Sequence, residues 1–117
     1  MIQPDQMRRN VSDLLALLSD AEAQRAYERD VPIASVPSEL NCMWFDDMYH
    51  PADTAFQGAF SARELDALAK FHVVYEAATA EIQPPPVVVA DLHAHPAWDR
   101  VLRAASVTLR ALSPAGP

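Results

Sequence analysis

Apolar residues recur at helical spacing along most of this chain. Met7, Val11, Leu14, Leu15 and Leu18 form the first run, widened by Leu17 and with Asp5 in its opening turn. Ser19-Asp20-Ala21-Glu22 then has the form of a capping box. It predicts a break there and a second, short helix from about Asp20 to Arg29, anchored by Tyr27. Pro32 and Pro37 bracket an extended link, Ile33 to Val36, after which Ser38 and Glu39 open a third helix. Phe60 to Leu65 combines a capping box, Ser61 with Glu64, and a hydrophobic staple, Phe60 with Leu65. The helix it starts should run to about Ile82. Leu68, Phe71, Val74, Tyr75, Ala78 and Ile82 form its buried stripe, and Asp66 and Lys70 sit opposite at pairing distance. The last helix has Pro96 in its first turn and His95 near the cap. Its stripe is Trp98, Val101, Leu102, Ala105, Leu109 and Leu112, with Arg100, Arg103 and Arg110 outside. The pattern predicts an all-α, single-domain bundle of four to five helices with Pro-rich connections over residues 1–112, and a frayed tail over 113–117.

The stretch Leu40 to Pro51 is the densest in side-chain chemistry. At about 100° per residue, Leu40, Met43, Trp44 and Met48 share one face, while Cys42, Phe45 and Tyr49 continue round the back. Asp47 falls inside the apolar face, and Asp46 and His50 lie together at its margin. Strand alternation would place carboxylates on both faces, so the helix is preferred. A carboxylate buried in such a face needs a cation. An arginine of this chain would make Asp47 structural; a metal or a partner would make it functional. Pro51 ends the element, and 51–59 reads as a loop with Gly58 at its turn and Phe56 as a plug into the core. Further on, Pro84-Pro85-Pro86 is a stiff spacer, and Val87 to Val89 can form one short strand, though without a partner strand.

Composition narrows the function classes. The single cysteine excludes an intramolecular disulfide and a multi-thiolate zinc site. Cys42, among Met43, Trp44 and Phe45, reads as a small buried hydrophobe rather than a nucleophile. No stretch resembles a membrane span or a signal peptide, so the cytoplasm is the expected location. The net charge of −7 argues against nucleic acid and anionic membranes as partners. Its distribution is more telling. Residues 31–62 carry Glu39, Asp46, Asp47 and Asp53 without a single Lys or Arg, which points to a basic protein partner.

Three chemical readings compete. Val87 to His95 ends in His93-Ala94-His95 and resembles the first metal-binding strand of amidohydrolase-type barrels. Only 22 residues follow His95, however, too few for the remaining ligands of such a barrel. The bland reading of His93 and His95 is loop and cap. The second reading joins Asp46, Asp47 and His50 with His72 or His93 in a metal or acid/base site, with Asp46 and His50 at i,i+4 spacing. Against it stands the absence of any supporting motif. With two glycines, one of them in the tail, there is no phosphate-binding loop, and the serines sit at caps and turns. No cofactor is implied. The third reading is a partner-binding patch of Trp44, Phe45, Tyr49 and Phe56 beside Asp46, Asp47 and Asp53, in which aromatics anchor and carboxylates steer. Its competitor is plain core packing.

Val36-Pro37-Ser38-Glu39-Leu40, Trp44 to Pro51, Phe60 to Phe71 and Pro96-Ala97-Trp98 together resemble small acidic bacterial proteins of the polymorphic-toxin immunity kind, or the uncharacterised helical domains found beside them. That resemblance implies a non-enzymatic binder that neutralises a partner by covering its active site, with no catalytic residues to carry over. The expectation is therefore an acidic helical domain binding a basic protein, as an inhibitor or immunity-type protein. The alternatives are a small metal-dependent or acid/base enzyme using Asp46, Asp47 and His50, and a homodimer with the central element buried between subunits.

Overall fold

A side chain that reaches back to its own backbone starts the longest helix. Ser61 accepts the Glu64 N–H at 3.2 Å while the Glu64 carboxylate accepts the Ser61 N–H at 2.8 Å, and α5 (Ala62–Glu81) runs on from there. In the computed structural model, which describes residues 2–112, the remaining helices are α1 (Pro4–Leu18), α2 (Ala21–Asp30), α3 (Val36–Cys42), α4 (Thr54–Ala59), α6 (Val89–His93) and α7 (Pro96–Leu112). A π-helical turn, Met43–Met48, continues α3. The tail expected over 113–117 lies outside the described residues.

The all-α expectation holds, since no strand occurs among the described residues. The helix count does not: among the described residues seven α-helices and a π turn replace the four to five expected. Two of the additions are short and depend on tertiary burial, which periodicity over so few residues cannot reveal. α4 occupies the stretch read as a loop, started by the Asp53 carboxylate on the Ala55 N–H at 2.9 Å and fixed by burial of Phe56 and Ala59. The candidate valine strand does not form: Val87 and Val88 lie in the connection, and Val89 opens α6. Val89 and Leu92 are buried, and the Val89 N–H, which has no helical partner of its own, donates to Glu28 at 2.8 Å. α3 starts two residues before the expected Ser38. Ser35 is its cap, accepting the Ser38 N–H at 3.3 Å, and Pro37 is tolerated because first-turn N–H groups have no helical acceptor. Similarly α2 is capped by Asp20 rather than Ser19, with its carboxylate on the Ala23 N–H.

α7 packs along both α5 and α1, and α4 and the π turn close against α1. The core between them is dominated by Trp44, Trp98, Tyr75, Phe56 and Phe71, all essentially without solvent contact. One charged side chain closes the bottom of the bundle. Arg8 makes a bidentate pair with Glu64 at 2.7 and 2.8 Å, donates to the carbonyls of Ala59 and Leu112, and lies 5.5 Å from the Phe60 ring centre. The two groups reinforce each other. The hydrogen bond raises the guanidinium pKa and lowers that of the carboxyl.

Candidate functional site

The π turn decides which side chains of the central stretch face water. Its closing bond runs from the Tyr49 N–H to the Trp44 carbonyl at 3.0 Å, five residues back instead of four. Each residue therefore advances by less than the α-helical step, and those after Met43 rotate relative to an α-helix. Leu40 and Trp44 stay in the core, and Met48 remains half-buried against it. Asp46 and Asp47 swing out, and both are exposed. This corrects the placement of Asp47 inside the apolar face, which assumed α-helical winding throughout. No arginine or lysine of the described chain pairs with Asp47.

Cys42 is also corrected. It is exposed, because two residues beyond Leu40 is the opposite side of a helix. Partial desolvation, then the charge and hydrogen bond of Asp46, then Glu39 and Asp47, push its thiol above the ordinary range, the reverse of an activated nucleophile.

Tyr49, in extended conformation at the end of the turn, folds back over an aromatic platform. The Trp44 indole N–H donates to His72 Nδ1 at 3.2 Å, so the two rings lie edge to edge. Tyr49 stacks on both, with centroids 4.8 Å from Trp44 and 4.7 Å from His72. Phe45 meets His72 edge-on at 5.4 Å, and Phe71 meets Trp44 in the same way at 4.9 Å. Trp44 and Phe56 have no exposed surface, which takes them out of the proposed patch. Phe45 and Tyr49 remain at its half-buried edge. Asp53 is exposed and caps α4.

The histidines do not assemble into a site. His50 lies past the extended Tyr49, so it shares no helix face with Asp46; its carbonyl takes the Asp53 N–H. His72 has Nδ1 occupied by an obligate donor, Trp44, so its neutral form carries the proton on Nε2, 3.6 Å from Glu76. His95 Nδ1 accepts the Ala97 N–H at 3.2 Å and helps start α7. His93 is held by a residue that the sequence pattern does not single out. Gln24, wholly buried on α2, donates to the carbonyls of Leu17 and Leu18 at 2.9 and 3.2 Å. Its Oε1 accepts from Trp98 Nε1 at 3.1 Å and from His93 Nε2 at 2.7 Å. Trp98 can only donate and carbonyls can only accept, so the amide orientation is fixed. The His93 proton therefore sits on Nε2, and Nδ1 faces Arg25 at 3.4 Å. Among the described residues no three His, Cys, Asp or Glu side chains come together in a way that could hold a metal ion. The candidates Asp46, Asp47, His50, His72, His93 and His95 are spread over the π turn, α5, α6 and the connections.

The His93 environment has a measurable consequence. Burial first, and Arg25 second, lower its pKa from the ordinary 6.5, with Glu28 opposing. The unfolded chain then binds the proton more readily than the folded one. The stabilisation is complete above about pH 6.5 and is lost as pH falls through that value toward the folded pKa. Urea titrations of the wild type and His93→Gln, which keeps a donor toward Gln24, should show a larger loss between pH 7.5 and 5 in the wild type. Equal losses would remove His93 from the acid response.

Comparison of the chain with protein-family models, with curated proteins and with solved structures finds no match. No helix among the described residues is long and apolar enough to cross a membrane. What the fold defines is thus a small all-α protein.

Proposed function

We propose that this chain is a non-enzymatic binding domain whose acidic face, built from α3, the π turn and the start of α4, takes a basic protein partner, as an inhibitor of immunity type would. One observation carries the reading. The Lys and Arg ion pairs among the described residues lie elsewhere, Arg8 with Glu64, Arg25 with Glu22, Lys70 with Asp66, Arg100 with Glu81 and Arg103 with Asp99, and no Lys or Arg occurs from Val31 to Ala62. On this face Asp46, Asp47 and Asp53 are exposed, and none of them pairs with a cation of the described chain. Phe45 and Tyr49 border them, offering aromatic edges of the sort that anchor interfaces. The enzyme alternative gains no support, because among the described residues no three His, Cys, Asp or Glu side chains could hold a metal ion together and His50 shares no helix face with Asp46. The dimer through the central element gains none either, because Leu40 and Trp44 are already covered by this chain's own helices.

The test is a triple substitution, Asp46→Asn, Asp47→Asn and Asp53→Asn, which leaves an amide able to cap α4. Exposed pairs contribute about 0.2–1 kcal/mol each, so a basic protein captured from the source lysate should bind this variant roughly tenfold more weakly. Wild-type binding should fall with salt. Capture unaffected by either salt or the substitutions would overturn the proposal.

A further inference from the structure

The acidic face adjoins a groove lined by methionine, leucine and aspartate. Between α1 and the π turn lies a channel of about 250 Å³ lined by Asn10, Asp13, Leu14, Leu17, Met43 and Met48. Its volume is below the roughly 300–1,000 Å³ of a typical small-molecule site, so it suits apolar side chains of a macromolecule. Leu17, Met43 and Met48 are half-buried, packed on the core below and open above. Methionine thioethers are unbranched and re-pack readily around different apolar shapes, which is why they are favoured on surfaces that accept helices.

We infer that this groove docks one amphipathic, cationic helix of the partner, its apolar stripe on Leu17, Met43 and Met48 and its lysines or arginines facing Asp13 and Asp47. The inference rests on the acidic-face reading above and adds the shape of the partner. Charge complementarity supports it. Asp13 lines the groove, Asp47 precedes Met48 on the exposed side of the π turn, neither pairs with a cation of the described chain, and no cation lines the groove. The geometry favours a helix. From Asn10 to Leu17 α1 rises about 10 Å, two helical turns, matching anchors at i, i+4 and i+7 of a partner helix. A β-strand peptide could not add to the fold here, since no strand exists among the described residues. The groove between α5 and α7 provides an internal contrast. It has a similar volume, about 250 Å³, and an apolar floor of Phe71, Val74, Ala104 and Val107, but its rim carries Lys70 and Arg103. A cationic helix should avoid it.

The probe is an 18-residue helical peptide of leucine and lysine at amphipathic spacing, compared with a lysine, serine and glycine peptide of equal charge. Both are titrated at 0.15 M salt into full-length protein carrying labelled methionine and valine methyl groups. The amphipathic peptide should saturate at one per chain and shift Met43 and Met48 while leaving Val74 and Val107 unmoved. The polar peptide should bind at least tenfold more weakly. Asp13→Lys with Asp47→Lys, both at exposed positions, should weaken the amphipathic peptide at least tenfold, and Leu17→Gln should do the same with the helical circular dichroism retained. Equal binding of the two peptides without methionine shifts would overturn the groove while leaving the acidic face standing. Shifts at Val74 and Val107 instead would overturn the groove as well. If neither peptide binds, both readings fall.

Discussion

Replacing Gln24 with alanine is expected to destabilise the domain by about 3–4 kcal/mol, a large share of the 5–15 kcal/mol typical of a folded domain. The side chain has no solvent contact and makes four hydrogen bonds, to Leu17, Leu18, His93 and Trp98. Two of these reach carbonyls at the C-terminal end of α1, that of Leu18 and that of Leu17, which also accepts the Asp20 N–H at 3.3 Å. The other two receive N–H groups from α6 and α7. Truncation would strand the indole N–H of Trp98, itself 2 % exposed, at a cost of about 1–3 kcal/mol for an unmade buried bond, and would open a cavity. Gln24→Leu separates the two contributions, since it refills the volume and restores no bond. Urea unfolding should rank wild type well above both variants, with leucine recovering only the cavity part. A leucine variant within about 0.5 kcal/mol of wild type would show that packing, not the polar hub, holds this corner.

That residue also marks the limit of what the sequence discloses. Long, strongly periodic elements were legible: the α5 capping box, the Asp66–Lys70 pair, now seen at 2.9 Å, and the Trp98 stripe of α7 stand where the pattern predicts. Their signal is local, so a linear reading recovers it. Gln24 is different, because a glutamine among alanines is buried only if α6 and α7 bring His93 and Trp98 to it. Arg8 is similar; its four acceptors lie at Glu64, Ala59 and Leu112, far along the chain. The acidic face was legible as composition but misplaced in orientation. Trp44 is buried under Tyr49, whose N–H closes the π turn, and with that turn, not the α-helical wheel, Asp47 is in water. Asp47 is therefore an exposed charge rather than a buried one.

The second large effect follows from that turn. Trp44→Ala is expected to cost about 4 kcal/mol, within the usual range for a buried aromatic reduced to alanine. Trp44 contacts Tyr49, Phe71 and His72, and its indole N–H has one partner, His72 Nδ1. Trp44→Phe keeps most of the apolar area but strips His72 of its donor and shortens the platform beneath Tyr49, for a loss of about 1–2 kcal/mol. Chemical unfolding measures both. The alanine variant, if enough of it stays folded in the cold, should also weaken binding of the amphipathic cationic peptide, although Trp44 touches no solvent. Without the platform Tyr49 loses its stacking surface, the five-residue bond loses its main support, and an ordinary α-helical turn would carry Asp47 back toward the core and move Met48. A folded Trp44→Ala protein that binds the peptide as tightly as the wild type would separate the π turn from the acidic face. A tenfold or greater loss, with Trp44→Phe intermediate, would make the buried indole the residue that aims the surface carboxylates.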